Sequence, residues 1–515
     1  MNTSRRQVWT NGKRRIERRL EREAWELVGF NNPRPVLTAS AIHYEMASRT
    51  RAIAAGGIGM MHRLAHRVGL VEEIDRRVHV LKRHVPYHES DHVLSIAYNV
   101  LAGGKCLEDL ELRRNDEAFL DALGARRIPD PTTAGDFCRR FTAGSIEALM
   151  DATNEARLRV WRQQPEDFFE RAVIDADGTL AATTGECKDG MNLGYDGTWG
   201  FHPLVVSLAN TQEPLFLVNR SANRPSHEGA AARFDQAIEL CRRAGFRDTL
   251  LRGDTDFSQT AYLDRWDEQG VTFLFGIDRS HALHQIAANL PQDAWTPLAR
   301  PRKYEVATKV RARRSNVKEQ VVIERGFENI RLDAESVTSF DYRPTACDKT
   351  YRVVALLKNL SKLRGEEVLF EDLMIFFFIT NDRETSAEDL VLLANQRCNQ
   401  ENLHSQLKSG TGAMRMPVDT LESNWAYMVM AALAWSLKAW LALLLPESGR
   451  WADRHRAEKR RVLTMEFRTF VNALIMMPCQ IVRGGRRLTY RLLSWSPWQP
   501  VLFRALDVLA HPLRP

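Results

Sequence analysis

Cysteine is scarce and unpatterned in this chain. Its 515 residues hold seven: Cys106, Cys138, Cys187, Cys241, Cys347, Cys398 and Cys479. The number is odd, the spacings are wide and no CxxC occurs, which excludes a disulfide framework and a zinc site and suits a reducing cytosol. The chain opens on a polar, basic stretch, MNTSRRQVWTNGKRR. It lacks the apolar core of a secretory signal, so no signal peptide is expected. There is no Walker A motif, which argues against ATP use, and GxSxG does not occur. Internal repeats and low-complexity tracts are absent too. Long apolar runs are represented once, by WAYMVMAALAWSLKAWLALLL at 425–445. It is long enough to span a bilayer, but Ser436 and Lys438 sit inside it. A central charge is costly in lipid, so a buried helix and no membrane contact are expected.

What remains is an ordinary folded composition, 44% hydrophobic and 27% charged, with a basic balance of +7 and a sequence pI near 9.0. That balance favours a polyanionic partner, nucleic acid before membrane. The length suits roughly three domains at ~150 residues each. Residues 1–30 carry a dense basic run, including Arg5, Arg6, Lys13 to Arg15, Arg18, Arg19 and Arg22. It reads either as a solvated helix or as an arm contacting the DNA backbone. Residues 34–150 show helical apolar spacing broken at Gly56–Gly57, Pro86, Gly103–Gly104 and Pro129/Pro131. Several short helices with basic ends suit a DNA-reading domain.

The pattern changes at Arg171. AVIDADGTLAATT alternates, and GFHPLVVSLA and EPLFLVN flank a turn at 210–212, so an antiparallel hairpin follows the first strand. A helix at 229–244, a strand at 249–254, a helix at 259–268 and a strand at 271–277 complete a mixed α/β layout. Residues 281–367, rich in Lys, Arg and β-branched side chains, read as an antiparallel β insertion. LFEDLMIFFFITN (369–381) reads as a strand, a continuous helix is expected at about 386–408, and 416–515 read as helical with a GGRR turn at 484–487. The domains drawn from this pattern are a helical region (1–165), a core in two parts (166–280 and 368–415) around the insertion (281–367), and a helical C-terminal region (416–515).

Three acids stand out by position. Asp177 ends the first strand and Asp254 the fourth, and strand ends are where sites assemble in a sheet-centred domain. Bland readings exist for both, a turn at Asp177–Gly178 and a helix cap at Asp254. The third is Glu401, in NQRCNQENLHSQLKSG (395–410). Helical periodicity puts Arg397, Glu401 and Lys408 on one stripe and Leu392, Leu403 and Leu407 on the other. Such charged stripes are commonly solvated surface pairs. Two strand-end aspartates and a helix-borne glutamate, however, make a hard oxygen donor set suited to magnesium or manganese. Two such ions activate a water or 3′-hydroxyl and stabilise the leaving oxygen of a phosphodiester, with Arg397 and Lys408 placed to hold the phosphate.

At these residues the chain resembles DDE-class transposases of bacterial insertion sequences, in particular the insertion-sequence family numbered thirteen-eighty. The resembling stretches are PYHESDHVLSIAYNVLAGGKCLEDLELRR (86–114), PDPTTAGDFCRRF (129–141), DADGT (175–179), GYDGTWGFHPLVV (194–206), RGDTDF (252–257) and QRCNQENLHSQLKSG (396–410). The resemblance implies a ribonuclease-H-like core. It also implies cutting at terminal inverted repeats of double-stranded DNA and joining to target DNA, with Mg2+ or Mn2+ as cofactor. A homodimer, which brings two ends together, in the bacterial cytoplasm and at the nucleoid when bound to DNA, goes with it. Carried over by motif, the catalytic and metal-holding acids are Asp177, Asp254 and Glu401, with Asp175, on the same strand face, as the alternative first acid. Asp256 stands where the related motif has Gly, and Ala394 where the related signature has Tyr. Two other functions remain open on the sequence: a decayed or domesticated DNA-binding copy, and a general metal-dependent nuclease.

Overall fold

The computed structural model describes residues 3–28, 42, 44, 50–300, 320, 328–364, 367–484 and 487–514. The expected strands at 303–314 and 318–327 lie outside these, residue 320 excepted. In chain order the strands are β1 (Ala52–Ile53), β2 (Arg171–Gly178), β3 (Ala181–Ala182), β4 (Asn192–Leu193), β5 (Trp199–Phe201), β6 (Leu204–Leu208), β7 (Glu213–Val218), β8 (Asp248–Gly253), β9 (Thr272–Ile277), β10 (Thr296–Pro297), β11 (Glu328–Tyr342), β12 (Tyr351–Arg364), β13 (Glu367–Thr380), β14 (Cys479–Gly484) and β15 (Arg487–Leu492). Nine form one mixed sheet in the order β10-β11-β12-β13-β9-β8-β2-β6-β7. At its centre β2 pairs parallel with β8, and β8 with β9, while β6 and β7 continue from β2 as an antiparallel meander. The long strands β11 to β13 are not a detached module. Phe377 to Thr380 of β13 register against Ile277 to Leu274 of β9, so the insertion extends the core sheet.

The 425–445 run is the spine of the helical part. It forms the helix Leu421–Leu443, started by a Thr420–Ser423 capping box. This helix is long and apolar enough to cross a membrane, and its apolar window is 100% buried within the protein. Its indoles tie it to the sheet edge: Trp425 donates to the Leu217 carbonyl, Trp435 to that of Gln212, and Trp440 to Glu213. Glu213 also takes Arg157 and Trp161, so the buried acid is fully paired. Lys438 is wholly buried and donates to the Leu463 carbonyl at 2.8 Å. The helices Glu89–Leu101, Pro131–Arg139 and Ala143–Trp161 pack around the same spine.

Two expectations are corrected. The C-terminal region is not purely helical: β14 and β15 form a hairpin whose first strand also pairs with β1. CQIVRG and RLTYRL alternate around the Gly-rich turn, and that period of two outweighs the helical sequence on either side. The continuous helix at 386–408 is interrupted. Ala387–Asn395 ends in a turn at Gln396–Arg397, Cys398–Ser405 follows, and Gln406–Gly410 closes as a π-helix.

Candidate active site

Strand β2 carries its two aspartates on one face, as period two requires, but at different depths. Asp175 is 1% exposed and gripped by Nε and Nη2 of Arg252, at 2.7 and 2.8 Å. Arg252 also donates to the Leu393 carbonyl at 2.8 Å, binding β2, β8 and the helix Ala387–Asn395 together. Burial pushes the Asp175 carboxyl up against the pull of Arg252. With every oxygen so occupied, Asp175 is a structural ion pair. Asp177 lies at the open end of the strand, on the cleft.

Asp254 follows the last residue of the neighbouring strand β8. One of its oxygens accepts from the Asp256 amide at 3.0 Å and caps the short helix Thr255–Phe257, so the capping reading holds too. Its other oxygen turns towards Arg397. Two glycines make this arrangement possible. A Cβ on Gly276 of β9 would stand 2.8 Å from the Thr255 nitrogen, beneath the segment that carries Asp254. A Cβ on Gly178 would stand 2.6 Å from Nε2 of His202.

Arg397 joins the two acids. Its Nη1 donates to Asp177 Oδ2 at 3.1 Å, and its Nη2 lies 4.0 Å from Asp254 Oδ2. Burial drives the Asp177 carboxyl up from its ordinary 3.8 to about 7, with Arg397 pulling down and Asp254 pushing further up. Asp254 is raised as well, by burial first, against Arg397 and with Asp256 adding to the rise. Burial lowers the Lys408 ammonium, opposed by Asp177. The helix Cys398–Ser405 is docked by Gln400, a buried amide donating to the backbone carbonyls of Asp175 and Val205 at 3.3 and 3.0 Å.

The structure thus gathers Asp177, Asp254 and Arg397, with Lys408 within electrostatic reach. It leaves Glu401 out. Gln400 faces the sheet and Leu403 is buried, while Glu401 is exposed to solvent. Among the described residues no group of three or more His, Cys, Asp or Glu side chains is placed to hold a metal ion. The pair Asp177 and Asp254 does fit a hard divalent cation. Both are oxygen donors at adjacent strand ends, both are held above their ordinary pKa, and a guanidinium already supplies the positive charge between them. His202 was not singled out from the sequence. It sits in GYDGTWGFHPLVV, its Nδ1 is 3.0 Å from the Arg224 carbonyl, and it lines the same cleft as the acids.

The family model for the transposase DDE domain, group 1, matches residues 48–513. No curated protein matches the chain. Among solved structures, the piggyBac transposase synaptic complex with hairpin DNA aligns at a TM-score of 0.35 and 10% identity, covering 82% of each chain. On the family match, which spans most of its length, the chain belongs to the DDE-domain transposases, group 1.

Proposed function

We propose that this transposase mobilises an insertion sequence of the kind numbered thirteen-eighty, cutting at its terminal inverted repeats and joining the ends to target DNA. The observation that carries the reading is the Asp177–Arg397–Asp254 cluster: two carboxylates at the ends of parallel strands, sharing one cation. The strand order β7-β6-β2-β8-β9, with an antiparallel meander beside parallel strands, supports a ribonuclease-H-like core. Asp177 and Asp254 would hold Mg2+ or Mn2+, with Glu401 as the third carboxylate. The bound ions supply Lewis-acid activation of a water or 3′-hydroxyl and charge stabilisation of the leaving oxygen. Arg397 and Lys408 would then hold the phosphate as counter-charges. Glu401 reaches the acids by movement of residues 396–410. The turn before this segment and the π-helix at its end are the breaks that permit such movement. The basic N-terminal helix Thr3–Val28 supplies DNA-backbone contacts, and a homodimer would hold two ends at once.

The test is incubation of the full chain with Mg2+ and DNA carrying its own terminal repeats. Nicked and joined products are expected, and Asp177→Asn, Asp254→Asn and Glu401→Gln each abolish them while binding persists. Absence of any metal-dependent product from the unaltered chain overturns the reading. The exposure of Glu401 favours a second reading, a DNA-binding copy that has lost strand transfer. In that case binding at the repeats persists without product in either metal.

A further inference from the structure

The segment Gln406–Gly410 closes by i→i+5 bonding, with the Thr411 amide donating to the Gln406 carbonyl at 2.8 Å. Such π-turns are rare and frequently sit at functional sites. A side-chain contact ties this one down. Gln406 is buried, and its Oε1 accepts the amide of Phe467 at 2.9 Å. Phe467 opens the helix Phe467–Phe470, so its amide is one of the donors that a helix start leaves without a partner. The N-cap residue of that helix, Glu466, makes no side-chain cap. Gln406 therefore caps the helix from a distant part of the chain.

The anchor is firmly seated. Gly410 lets the two elements meet: a Cβ there would stand 3.0 Å from the Phe467 Cβ and 3.2 Å from Gln406 Oε1. Directly after Phe470 comes a second π-turn, Val471–Ile475, which is bonded to the N-terminal helical region. The Gly57 amide donates to the Ile475 carbonyl at 2.9 Å, and the Gly56 amide to that of Met477 at 3.1 Å. The glycine pair that breaks the helical pattern at 56–57 thus fits against the element that Gln406 grips.

Helix geometry carries the effect of this clasp to Glu401. A π-turn takes one residue more per hydrogen-bonded ring than an α-turn. If Gln406–Gly410 returned to α bonding with the chain after it fixed, the helix Cys398–Ser405 would turn by up to about one residue step, ~100°. The sense of that turn carries each residue towards the place of the one before it. Gln400 holds the place beside the acids, donating to the carbonyls of Asp175 and Val205, and Val205 is the register partner of Asp177. Glu401, exposed while the clasp is closed, is the next residue.

We propose that Gln406 is a positioning residue: its clasp on Phe467 holds Gln406–Gly410 in the π form and keeps Glu401 outside the Asp177–Asp254 pair until the clasp opens. This rests on the transposase reading above, since it takes Glu401 as the third carboxylate. Charge alone does not keep Glu401 out once a divalent cation is bound, because the cation favours a further oxygen donor. The clasp does.

The experiment measures Mn2+ binding to the full chain by calorimetry, without DNA, so that no turnover is read. Gln406→Met keeps the length of the side chain and removes the acceptor. It should tighten Mn2+ binding about tenfold, and adding Glu401→Gln should remove that gain. Gly410→Ala wedges the clasp from its other side and should give the same Glu401-dependent gain, so a folding failure of one variant leaves the other to decide. Gln406→Glu retains an acceptor of equal reach and should bind Mn2+ as the unaltered chain does. Unchanged or weaker binding in the folded variants, or a gain that persists with Glu401→Gln, overturns the latch alone. Mn2+ binding that Asp177→Asn leaves intact overturns the metal reading of the acid pair and the latch with it. A Glu401-dependent gain in a protein that never joins DNA ends upholds the latch and removes the strand-transfer reading.

Discussion

Asp175 and Asp177 stand two residues apart on one strand face, and isosteric substitution separates their roles. Asp175→Asn removes the charge that pairs with Arg252 in a site where both side chains are almost fully buried, 1% and 3% exposed. Breaking a buried pair leaves an uncompensated charge and costs about 3–5 kcal/mol. The Asn oxygen still accepts one hydrogen bond, so about 3 kcal/mol is expected. Asp177→Asn works in the other direction. Its carboxyl rises from 3.8 to about 7 in the fold. At about 1.4 kcal/mol per pKa unit the ionised form carries a penalty of at most about 4 kcal/mol. Between pH 3.8 and about 7 the folded chain holds a proton that the unfolded chain has lost. The stability from this group is therefore full below pH 4, declines as pH rises, and is gone above about 7. Asn does not titrate, so Asp177→Asn should match the parent near pH 4 and exceed it at pH 8 by about 1–3 kcal/mol, with the lost Arg397 contact taking the difference. Thermal unfolding midpoints at both pH values in EDTA give the measurement. Midpoints are the proper comparison for a chain of this length, since they assume no two-state transition. A drop on the order of 5 °C for Asp175→Asn and a rise at pH 8 for Asp177→Asn are expected. Loss of stability by both variants at pH 8, or indifference of Asp175→Asn, would refute the division into structural and site acid.

Arg397→Gln removes the cation shared by the two aspartates, so Mn2+ binding to the DNA-free protein should tighten by about tenfold in calorimetry; weaker binding would contradict its place between the acids. Glu401→Gln should change that same Mn2+ affinity less than about threefold, because the side chain lies outside the pair, and yet abolish strand joining. An equal loss of metal binding in Glu401→Gln and Asp254→Asn would place Glu401 in the DNA-free site. Lys438, wholly buried and lowered by that burial to about 7 from 10.5, is neutral in the fold over a pH range where the unfolded chain keeps its proton. Stability should therefore rise from pH 7 towards 10.5, and Lys438→Met should gain about 2–4 kcal/mol at pH 7 and progressively less above it, read by denaturant titration at pH 7 and 10. Removing residues 1–28 should flatten the slope of log affinity against log salt, since phosphate-paired cations set that slope.

Much of the architecture was legible because its signals were local. The meander β6–β7, the strands β8 and β9 and the helix Ala230–Ala244 follow from periodicity and turn residues within single segments. The 425–445 run was legible as buried because Lys438 and Ser436 exclude lipid more firmly than its length suggests it. The hairpin of β14 and β15 was missed because helical sequence flanks it and only two short segments alternate. Asp175 and Asp177 are indistinguishable by period. What separates them is Arg252, which arrives from a different strand, and the depth of each along β2, which depends on what covers the sheet. His202 lies in a stretch noticed only for its resemblance; its place beside the acids depends on a cleft that no single segment contains.

The position of Glu401 follows from charge balance rather than from a defect in the motif. Asp177 and Asp254 already share one guanidinium, and burial has pushed both towards their neutral forms. A third carboxylate in that space would meet two acids with a single counter-charge, and like charges at close range in a partly buried site cost several kcal/mol. Without added positive charge the favourable arrangement keeps Arg397 in and Glu401 out. Divalent cations would reverse the sign of that argument: they replace the guanidinium, favour a third oxygen donor, and release Arg397 to meet phosphate. Helical spacing places Arg397 and Glu401 on one stripe, and it is silent on which of the two faces the acids, because that choice belongs to the charge in the cleft. The turn at Gln396–Arg397 and the π-helix Gln406–Gly410 bracket the segment that would make such an exchange.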